Sequence, residues 1–470
     1  MVNSSKDINR LTVAEKRQLL TQLLQNQAKQ IAADTPSYDL DLPGESTPGK
    51  RPQYLEATYD MFIQGGGTTH DEVDRFNQWV EQANREGIYA FEAPRLQGQK
   101  TEVEVQRSTG ETLKMLNFSS YNYLGYGNHP DVIAAAKDAL DRYGLGAASA
   151  PVTSGTFRLH QQLEQRLIDF FGLPGYGVSL FSSGYGVNTG TISAYMKPGS
   201  YVILDQAAHM CMLEGAKLSG AKILYFRHND IDHLEAILKK IADGQTRILV
   251  GTEGVYSADG DYGEVGKIVQ VAKKYGAKVL ADEAHSMLLA GPNGRGVCEA
   301  QGVLAAVDFI VITFSKSFGG VGGALVAKKE IAQYVNWYAR CRMFSCALAP
   351  AVTGGVTKAL ELASGDDGDK RRKRIRRNAE LMRSQLAGKV NIGDAQSWVI
   401  PVIYGLDKQT MPLNDYLQRE GLDTSIMQFP ATPRNEARIR LFVTSEHTPE
   451  QISQATQIIL KAADKFNFLR

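Results

Sequence analysis

From about Asn117 onward the sequence repeats one texture: a short β-branched apolar run, a loop, then a stretch with helical periodicity. Arg247-Ile-Leu-Val-Gly-Thr252 leads through a loop into an amphipathic stretch over residues 264–275. Lys278-Val-Leu-Ala-Asp282 follows, then a loop and short helix, then Asp308-Phe-Ile-Val-Ile-Thr313. A run that is apolar at nearly every position suits a strand covered on both faces, and strands joined by helical crossovers run parallel. The chain is therefore expected to be α/β, with a mostly parallel sheet and helices on both sides.

The flanks read differently. Leucines at 11, 19, 20, 23 and 24 predict an amphipathic helix, with Thr12 and Glu15 as a capping box. Residues 33–53, rich in Pro, Gly, Asp and Ser, read as a linker. A second helix is expected over 70–86, with Val73, Phe76, Trp79, Val80 and Ala83 on one face. Gly65-Gly-Gly67 has no strand before it, so it reads as spacing rather than a phosphate loop. Beyond the sheet region, Ser364-Gly-Asp-Asp-Gly-Asp369 marks a boundary, followed by a helix over 370–386, a strand over 397–404 and a last strand–helix pair. The expected division is an arm and linker (1–60), the N-terminal part of a small domain (61–120), a large domain (121–364) and a small α+β C-terminal domain (365–470).

Composition narrows the function classes. Lys+Arg 52 against Asp+Glu 51 leaves a net charge of +1, without the basic excess of a nucleic-acid binder. No run approaches ~18 apolar residues, so no membrane span is expected. The polar start Met1-Val-Asn-Ser-Ser-Lys6 lacks a signal-peptide core, and the four cysteines form no C-x-x-C pair. A cytoplasmic chain is expected.

In open α/β sheets, ligands sit at the carboxyl ends of the strands. The 278–282 strand ends in Asp282-Glu-Ala-His285; a carboxylate there suits a metal, an acid pair, a buried cation or a helix cap. The next strand ends in Thr313-Phe-Ser-Lys316-Ser-Phe-Gly-Gly, where one lysine is either solvated or a desolvated amine nucleophile. Upstream, Phe181-Ser-Ser-Gly-Tyr-Gly-Val-Asn188 is a glycine turn at a helix start, suited to a phosphate dianion. Asp205-Gln-Ala-Ala-His209 adds an imidazole after another strand. Phosphate turn, aromatic His, strand-end Asp and strand-end Lys together meet the needs of pyridoxal phosphate: N–H donors, a flat partner, an anion for the ring nitrogen and an amine for the aldehyde.

These motifs resemble, in order, those of the α-oxoamine synthases, fold-type I pyridoxal-phosphate enzymes that include 8-amino-7-oxononanoate synthase, 5-aminolevulinate synthase, 2-amino-3-ketobutyrate ligase and serine palmitoyltransferase. The likeness spans 117–462 and is carried by Asn117-Phe-Ser-Ser-Tyr-Asn-Tyr-Leu-Gly125, Ser154-Gly-Thr156 with His160 and Glu164, His228-Asn-Asp230, Glu253-Gly-Val-Tyr-Ser-Ala-Asp-Gly260, Asp282-Glu-Ala-His285, Thr313-x-x-Lys316, and Arg438-Ile-Arg440 with His447-Thr448. It implies a seven-stranded, mostly parallel sheet in the large domain. It also implies a decarboxylating Claisen condensation of an amino acid with an acyl thioester of coenzyme A or a carrier protein, giving an α-amino ketone, CO2 and free thiol.

The resemblance assigns roles. Lys316 holds the cofactor through its amine and then moves the Cα proton. Asp282 pairs with the ring nitrogen, His209 stacks on one ring face, Ala284 packs on the other, and His285 bonds the phenolic oxygen. Gly184, Tyr185 and Thr313 take the phosphate, with Ser345 reaching in from a second subunit of a homodimer. Arg440 clamps the substrate carboxylate, and Asn122 and Ser257 line the site. His160 and His447 read equally as site residues or as mere packing or capping residues, Arg438 as a surface neighbour of Arg440, and Cys298 and Cys346 as small apolar residues. An aminotransferase, a lyase or a non-catalytic carrier-binding domain are the competing expectations.

Three departures touch the substrate pockets: Pro151 where many members carry arginine, Trp398 where proline is usual, and Cys346 in place of a polar residue. Residues 11–53 resemble inter-domain joints of polyketide and peptide assembly lines, including the α-oxoamine synthase domain that starts saxitoxin synthesis. That likeness implies arginine and a carrier-bound propionyl group as substrates; the same segment reads equally as a plain dimer-stabilising arm. Lys370-Arg-Arg-Lys-Arg-Ile-Arg-Arg377 reads either as a solvated helix face or as a dock for an acidic carrier.

Overall fold

The computed structural model describes residues 69–89, 91–429 and 431–470. The expected helix over 11–25, the linker over 33–53 and the glycines at 65–67 lie outside them. Thirteen strands occur among the described residues: β1 (Glu102–Gln106), β2 (Thr112–Asn117), β3 (Tyr176–Phe181), β4 (Tyr201–Asp205), β5 (Lys222–Phe226), β6 (Ile248–Glu253), β7 (Lys278–Asp282), β8 (Phe309–Thr313), β9 (Gly323–Lys328), β10 (Val399–Gly405), β11 (Leu422–Asp423), β12 (Ser425–Met427) and β13 (Ala437–Phe442). Seven of them form one sheet in the order β3-β9-β8-β7-β6-β4-β5, as expected for fold-type I. Only β9 runs against its neighbours.

Alternation along the central strands explains why both faces are covered. Ile248 and Val250, Val279 and Ala281, and Ile310 and Ile312 all turn into one core, with Leu163 and Leu167 of the helix Arg158–Phe171. The residues between them, Leu249, Leu280, Phe309 and Val311, turn into a second core with Val187 and Ile192 of the helix Gly184–Tyr195. Each of the larger side chains among them, Val, Leu, Ile or Phe, contributes ~1.5–3 kcal/mol on burial. A strand with both faces desolvated has no place for polar residues along its length, so chemistry collects at its ends.

Two smaller sheets flank this one. The hairpin β1–β2 is extended by β11, which runs parallel to β2 with Leu422 opposite Leu116. The strands β10-β13-β12 form the other sheet, all antiparallel. The helix expected over 370–386 starts earlier, at Asp366. The polar cluster read as a boundary is thus partly its first turn, where Asp366, Asp367 and Asp369 meet the positive end of the helix dipole. No helix of the described residues is long and apolar enough to cross a membrane.

The basic run on that helix is neither a solvated face nor a free patch throughout. Arg371 donates to the Leu124 carbonyl and pairs with Asp367 and Glu446, while Arg372 donates to the Ala363 carbonyl and pairs with Asp369. Arg374 and Arg376 bond backbone carbonyls of Ser445, Leu289 and Gly291. Lys370, Lys373 and Arg377 are its exposed cations without such ties.

Candidate active site

The carboxyl ends of β3, β4, β6, β7 and β8 converge on a cavity of about 260 Å3. Past β3, Ser183 caps the helix Gly184–Tyr195 by accepting the Gly186 N–H at 3.0 Å. The first-turn N–H groups of Gly184 and Tyr185 have no intrahelical acceptor, and the helix dipole adds positive potential there. A Cβ on Gly184 would collide with Thr313 Oγ1, so the missing side chain is what lets the end of β8 stand against this turn. Thr313 Oγ1 and Ser315 Oγ, 2.7 Å apart, add hydroxyls beside it.

Asp282 ends β7 and is 5% exposed. Its Oδ2 accepts from Asn188 Nδ2 at 2.6 Å, and its Oδ1 accepts the Ala284 N–H at 2.9 Å. Both partners are neutral amides, so neither of these hydrogen bonds comes from a cation. Asn188 Oδ1 is itself buried without a hydrogen-bond partner. Within Asp282-Glu-Ala-His285, only Glu283 turns away from the cavity: its carboxylate accepts the Val297 and Cys298 N–H groups at 2.9 and 2.7 Å.

Lys316 lines the same cavity. Desolvation lowers its pKa, against the opposing pull of Asp282 and Glu253. That direction favours a free amine, the form able to attack an aldehyde. Glu253, at the end of β6, is 2% exposed, and its Oε1 accepts the His209 N–H at 2.6 Å. Burial, reinforced by Asp282, raises the Glu253 pKa well above the usual range. Two acids thus share the site, and burial beside Asp282 favours the protonated form of Glu253.

His209 presents an exposed imidazole to the cavity. Its Nδ1 accepts the Cys211 N–H at 3.3 Å and lies 2.9 Å from Cys211 Sγ, which leaves the ring proton on Nε2. Desolvation lowers its pKa, so the ring is neutral at pH 7. His285 is also neutral: burial first, then the charges of Lys316 and Arg440, push its pKa well below 6.5. Its Nδ1 lies 2.7 Å from the Tyr123 hydroxyl, whose own pKa burial raises. The phenol therefore donates and Nε2 carries the ring proton. Trp398 Nε1 donates to the His285 carbonyl at 2.8 Å, so this departure from the family pattern is a buried brace of the site.

The cavity gathers Lys316, Asp282, His209, His285, Ala284, Gly184, Tyr185 and Thr313. Arg440 and Ser257 lie outside its lining and meet each other: Arg440 Nη1 donates to the Ser257 carbonyl at 2.9 Å and Nη2 to Ser425 Oγ at 3.0 Å. Arg440 Nε is buried without a partner, and no carboxylate pairs with the guanidinium among the described residues. Asn122 is elsewhere, in a separate depression of about 450 Å3, with its Oδ1 accepting the Gly127 N–H and its Nδ2 donating to the Gln99 carbonyl. Ser345 is half-buried and lines no part of the cavity.

Two expectations about single residues, Arg438 and Cys346, need correction. Arg438 is 3% exposed rather than a surface neighbour, pairing with Asp259 and Glu436. Cys346 is exposed, unlike the buried Cys298. His160 accepts the Phe157 N–H at 2.9 Å and donates to the Leu348 carbonyl at 2.7 Å, so it caps. His447 does the same between Thr444 and Asn117. Pro151 opens a π-helical turn, Pro151–Gly155. Asn188, Glu253, Tyr123 and Cys211 carry contacts that motif reading alone leaves unassigned. Only Asn188 had a local signal, standing four residues after Gly184 and so on the same helix face.

This donor set fits pyridoxal phosphate. One cavity lining holds helix-start N–H groups and hydroxyls, a carboxylate, an amine and two imidazoles. Comparison with known proteins points the same way. Residues 114–459 match the family model "Aminotransferase class I and II". The chain is 33% identical to 8-amino-7-oxononanoate synthase of Alkaliphilus metalliredigens (strain QYMF), over 85% of this chain and 99% of that protein. It is 34% identical to 2-amino-3-ketobutyrate coenzyme A ligase of Escherichia coli (strain K12), over 80% and 94%. Serine palmitoyltransferase from S. paucimobilis, solved with a bound pyridoxal phosphate–myriocin adduct, superposes with a TM-score of 0.79 at 33% identity, covering 85% of this chain and 100% of that one. The chain belongs to the α-oxoamine synthases, pyridoxal-phosphate-dependent acyl-transferring enzymes of the class I and II aminotransferase family.

Proposed function

We propose that this enzyme joins an α-amino acid to an acyl thioester, releasing CO2 and free thiol and leaving an α-amino ketone. The observation that carries the reading is Lys316 and Asp282 lining one cavity, with Arg440 nearby having no carboxylate partner among the described residues. Pyridoxal phosphate, when bound, supplies the electron sink for the charge left as the substrate Cα loses its proton.

The protein's own residues do the rest. The Gly184 and Tyr185 N–H groups with Thr313 would hold the phosphate. Asp282 would keep the ring nitrogen protonated, and because that contact matters most when negative charge develops, it serves turnover more than binding. Lys316 Nζ would hold the cofactor and then carry the Cα proton. His209 would cover one ring face, excluding water, with Ala284 on the other, and His285 Nε2–H would bond the phenolic oxygen. Arg440 would take the substrate carboxylate with its planar fork, Nε included. Ser257 stands at that guanidinium, through its carbonyl.

The narrower proposal takes arginine as the amino acid and a propionyl group on a carrier protein as donor, with coenzyme A as the alternative thiol. It rests on the likeness of residues 11–53 to assembly-line joints. The exposed part of the basic run, Lys370, Lys373 and Arg377, is what a carrier would meet on that helix. A homodimer, with Ser345 of one protomer reaching the phosphate of its partner, and a cytoplasmic setting complete the proposal. Incubating the purified enzyme with amino acids and acyl thioesters tests it. Matched release of CO2 and thiol supports it; amino-group transfer without either would make the chain an aminotransferase.

A further inference from the structure

One imidazole outside the cavity is held between two carboxylates. His228 follows β5, with Nδ1 2.9 Å from Asp205 Oδ1 and Nε2 2.9 Å from Asp261 Oδ2. Asp205 and Asp261 are 1% and 7% exposed. A neutral imidazole has one N–H and one lone pair, so it satisfies one of these acceptors and repels the other. The remaining contacts of both acids are with donors. Asp205 accepts the Ala207 N–H at 2.8 Å and the Asn229 N–H at 2.9 Å, and Asp261 accepts from Asn229 Nδ2 at 2.9 Å. Every such contact of the two acids is with a donor, so the ring between them satisfies both only by carrying two N–H groups.

The two acids belong to two segments that also carry groups of the candidate site or their partners. Asp205 ends β4, and four residues later comes His209. Asp261 closes the loop after β6, whose Ser257 carbonyl holds Arg440, whose Asp259 holds Arg438, and whose Gly260 carbonyl accepts the Ser397 N–H next to Trp398. We propose that doubly protonated His228 is a positioning residue, a buried cation that sets the spacing between the His209 loop and the Ser257–Asp261 loop. It thereby fixes the ring that covers the cofactor relative to the guanidinium that receives the substrate carboxylate. What is positioned rests on the functional reading above; the clamp itself does not.

The protonation is durable. Burial opposes the charge, yet hydrogen bonds to Asp205 and Asp261 and their negative charges outweigh it, pushing the His228 pKa up to about 10. The other titratable group against the ring is Tyr256, edge-on with centroids 4.4 Å apart, and burial keeps its phenol protonated. On the neighbouring turn Arg227 is paired with Asp230. A folded pKa raised above the ordinary 6.5 stabilises the fold fully below pH 6.5, and that contribution fades as pH rises to about 10.

The test compares the full-length wild type with His228→Gln, with and without added pyridoxal phosphate. Without cofactor, the difference in unfolding midpoint between the two is expected to be largest at pH 6.5 and to shrink by pH 10.5. At pH 7.5 the variant is expected to bind pyridoxal phosphate about tenfold more weakly, the equivalent of one charge-assisted hydrogen bond. Its amino-acid KM should rise by more than its kcat falls. Asp261→Asn keeps the shape and removes one charge, so its own gap from wild type should also narrow as pH rises, which covers the case where His228→Gln fails to fold. A stability gap constant across that pH range would overturn the imidazolium. A shrinking gap with unchanged cofactor binding and KM would overturn the positioning role. If wild type bound no pyridoxal phosphate, the functional reading would fall while the stability gap still judged the clamp.

Discussion

Asn188 Nδ2 donates a 2.6 Å hydrogen bond to Asp282 Oδ2 from the first turns of the helix that Gly184 opens. One helix therefore brings its N-terminal N–H groups to the cavity lining and, four residues on, steadies the buried acid in the same lining. Replacing Asn188 with Ala removes a hydrogen bond to a buried charge, expected to cost ~1.5–3 kcal/mol or roughly 10- to 150-fold in kcat/KM. Asn188→Asp should be worse than Ala, because a third acid beside Asp282 and Glu253 forces protonation onto the group that must stay charged. Steady-state kinetics of the two variants checks the order.

Glu253 and Asp282 are both buried acids in one cavity, yet they should respond oppositely to amidation. The raised Glu253 pKa makes it a neutral acid whose essential act is accepting the His209 N–H. Glu253→Gln keeps that acceptor and should leave kcat within about threefold of wild type, the loss of less than one net hydrogen bond. Asp282→Asn should lower kcat by roughly 100-fold or more, since it removes charge stabilisation at the reacting centre. Cofactor retention, read by absorbance after gel filtration, should fall far less.

Arg440→Lys tests the carboxylate fork. Lysine keeps the charge but loses the planar pair of donors and the stacking on the Phe442 ring, now 5.0 Å from the guanidinium carbon. The amino-acid KM should rise roughly tenfold, with a smaller change in thioester KM. Equal effects on both would remove Arg440 from the carboxylate.

Acid stability follows from the buried neutral histidines. His447 has its pKa lowered to about 4 by burial, against the opposing hydrogen bond to Asn117. A folded pKa below the ordinary 6.5 gives stability that is complete above pH 6.5 and drains away as pH falls toward 4. For His447 alone that loss is about 3 kcal/mol. The unfolding midpoint should therefore drop between pH 6.5 and pH 4, and His447→Gln should drop less over the same interval.

The strands and the ends of strands were legible because desolvation leaves a simple trace: uninterrupted apolar runs, then a polar residue. Asp282, Lys316 and the Gly184 turn were found that way, and the order of motifs supplied His209 and His285. What sequence could not carry was the partner of each group. Tyr123 meets His285, and Trp398 braces it from just before β10 across more than a hundred residues of chain, a contact fixed by packing alone. The arginines at 371 and 372 looked like solvent-facing charge, but the acids and carbonyls that accept them come from neighbouring turns and loops. Asn122 lies in a motif beside Tyr123 yet turns to Gly127 and Gln99, because adjacent residues in a loop need not share a direction.

The most direct measurement is to load the purified chain with pyridoxal phosphate, reduce it with borohydride, digest it and locate the pyridoxyl group by mass spectrometry. Attachment at Lys316, abolished in Lys316→Ala, is the predicted result. A label absent, or spread over surface lysines with none at Lys316, would contradict the account.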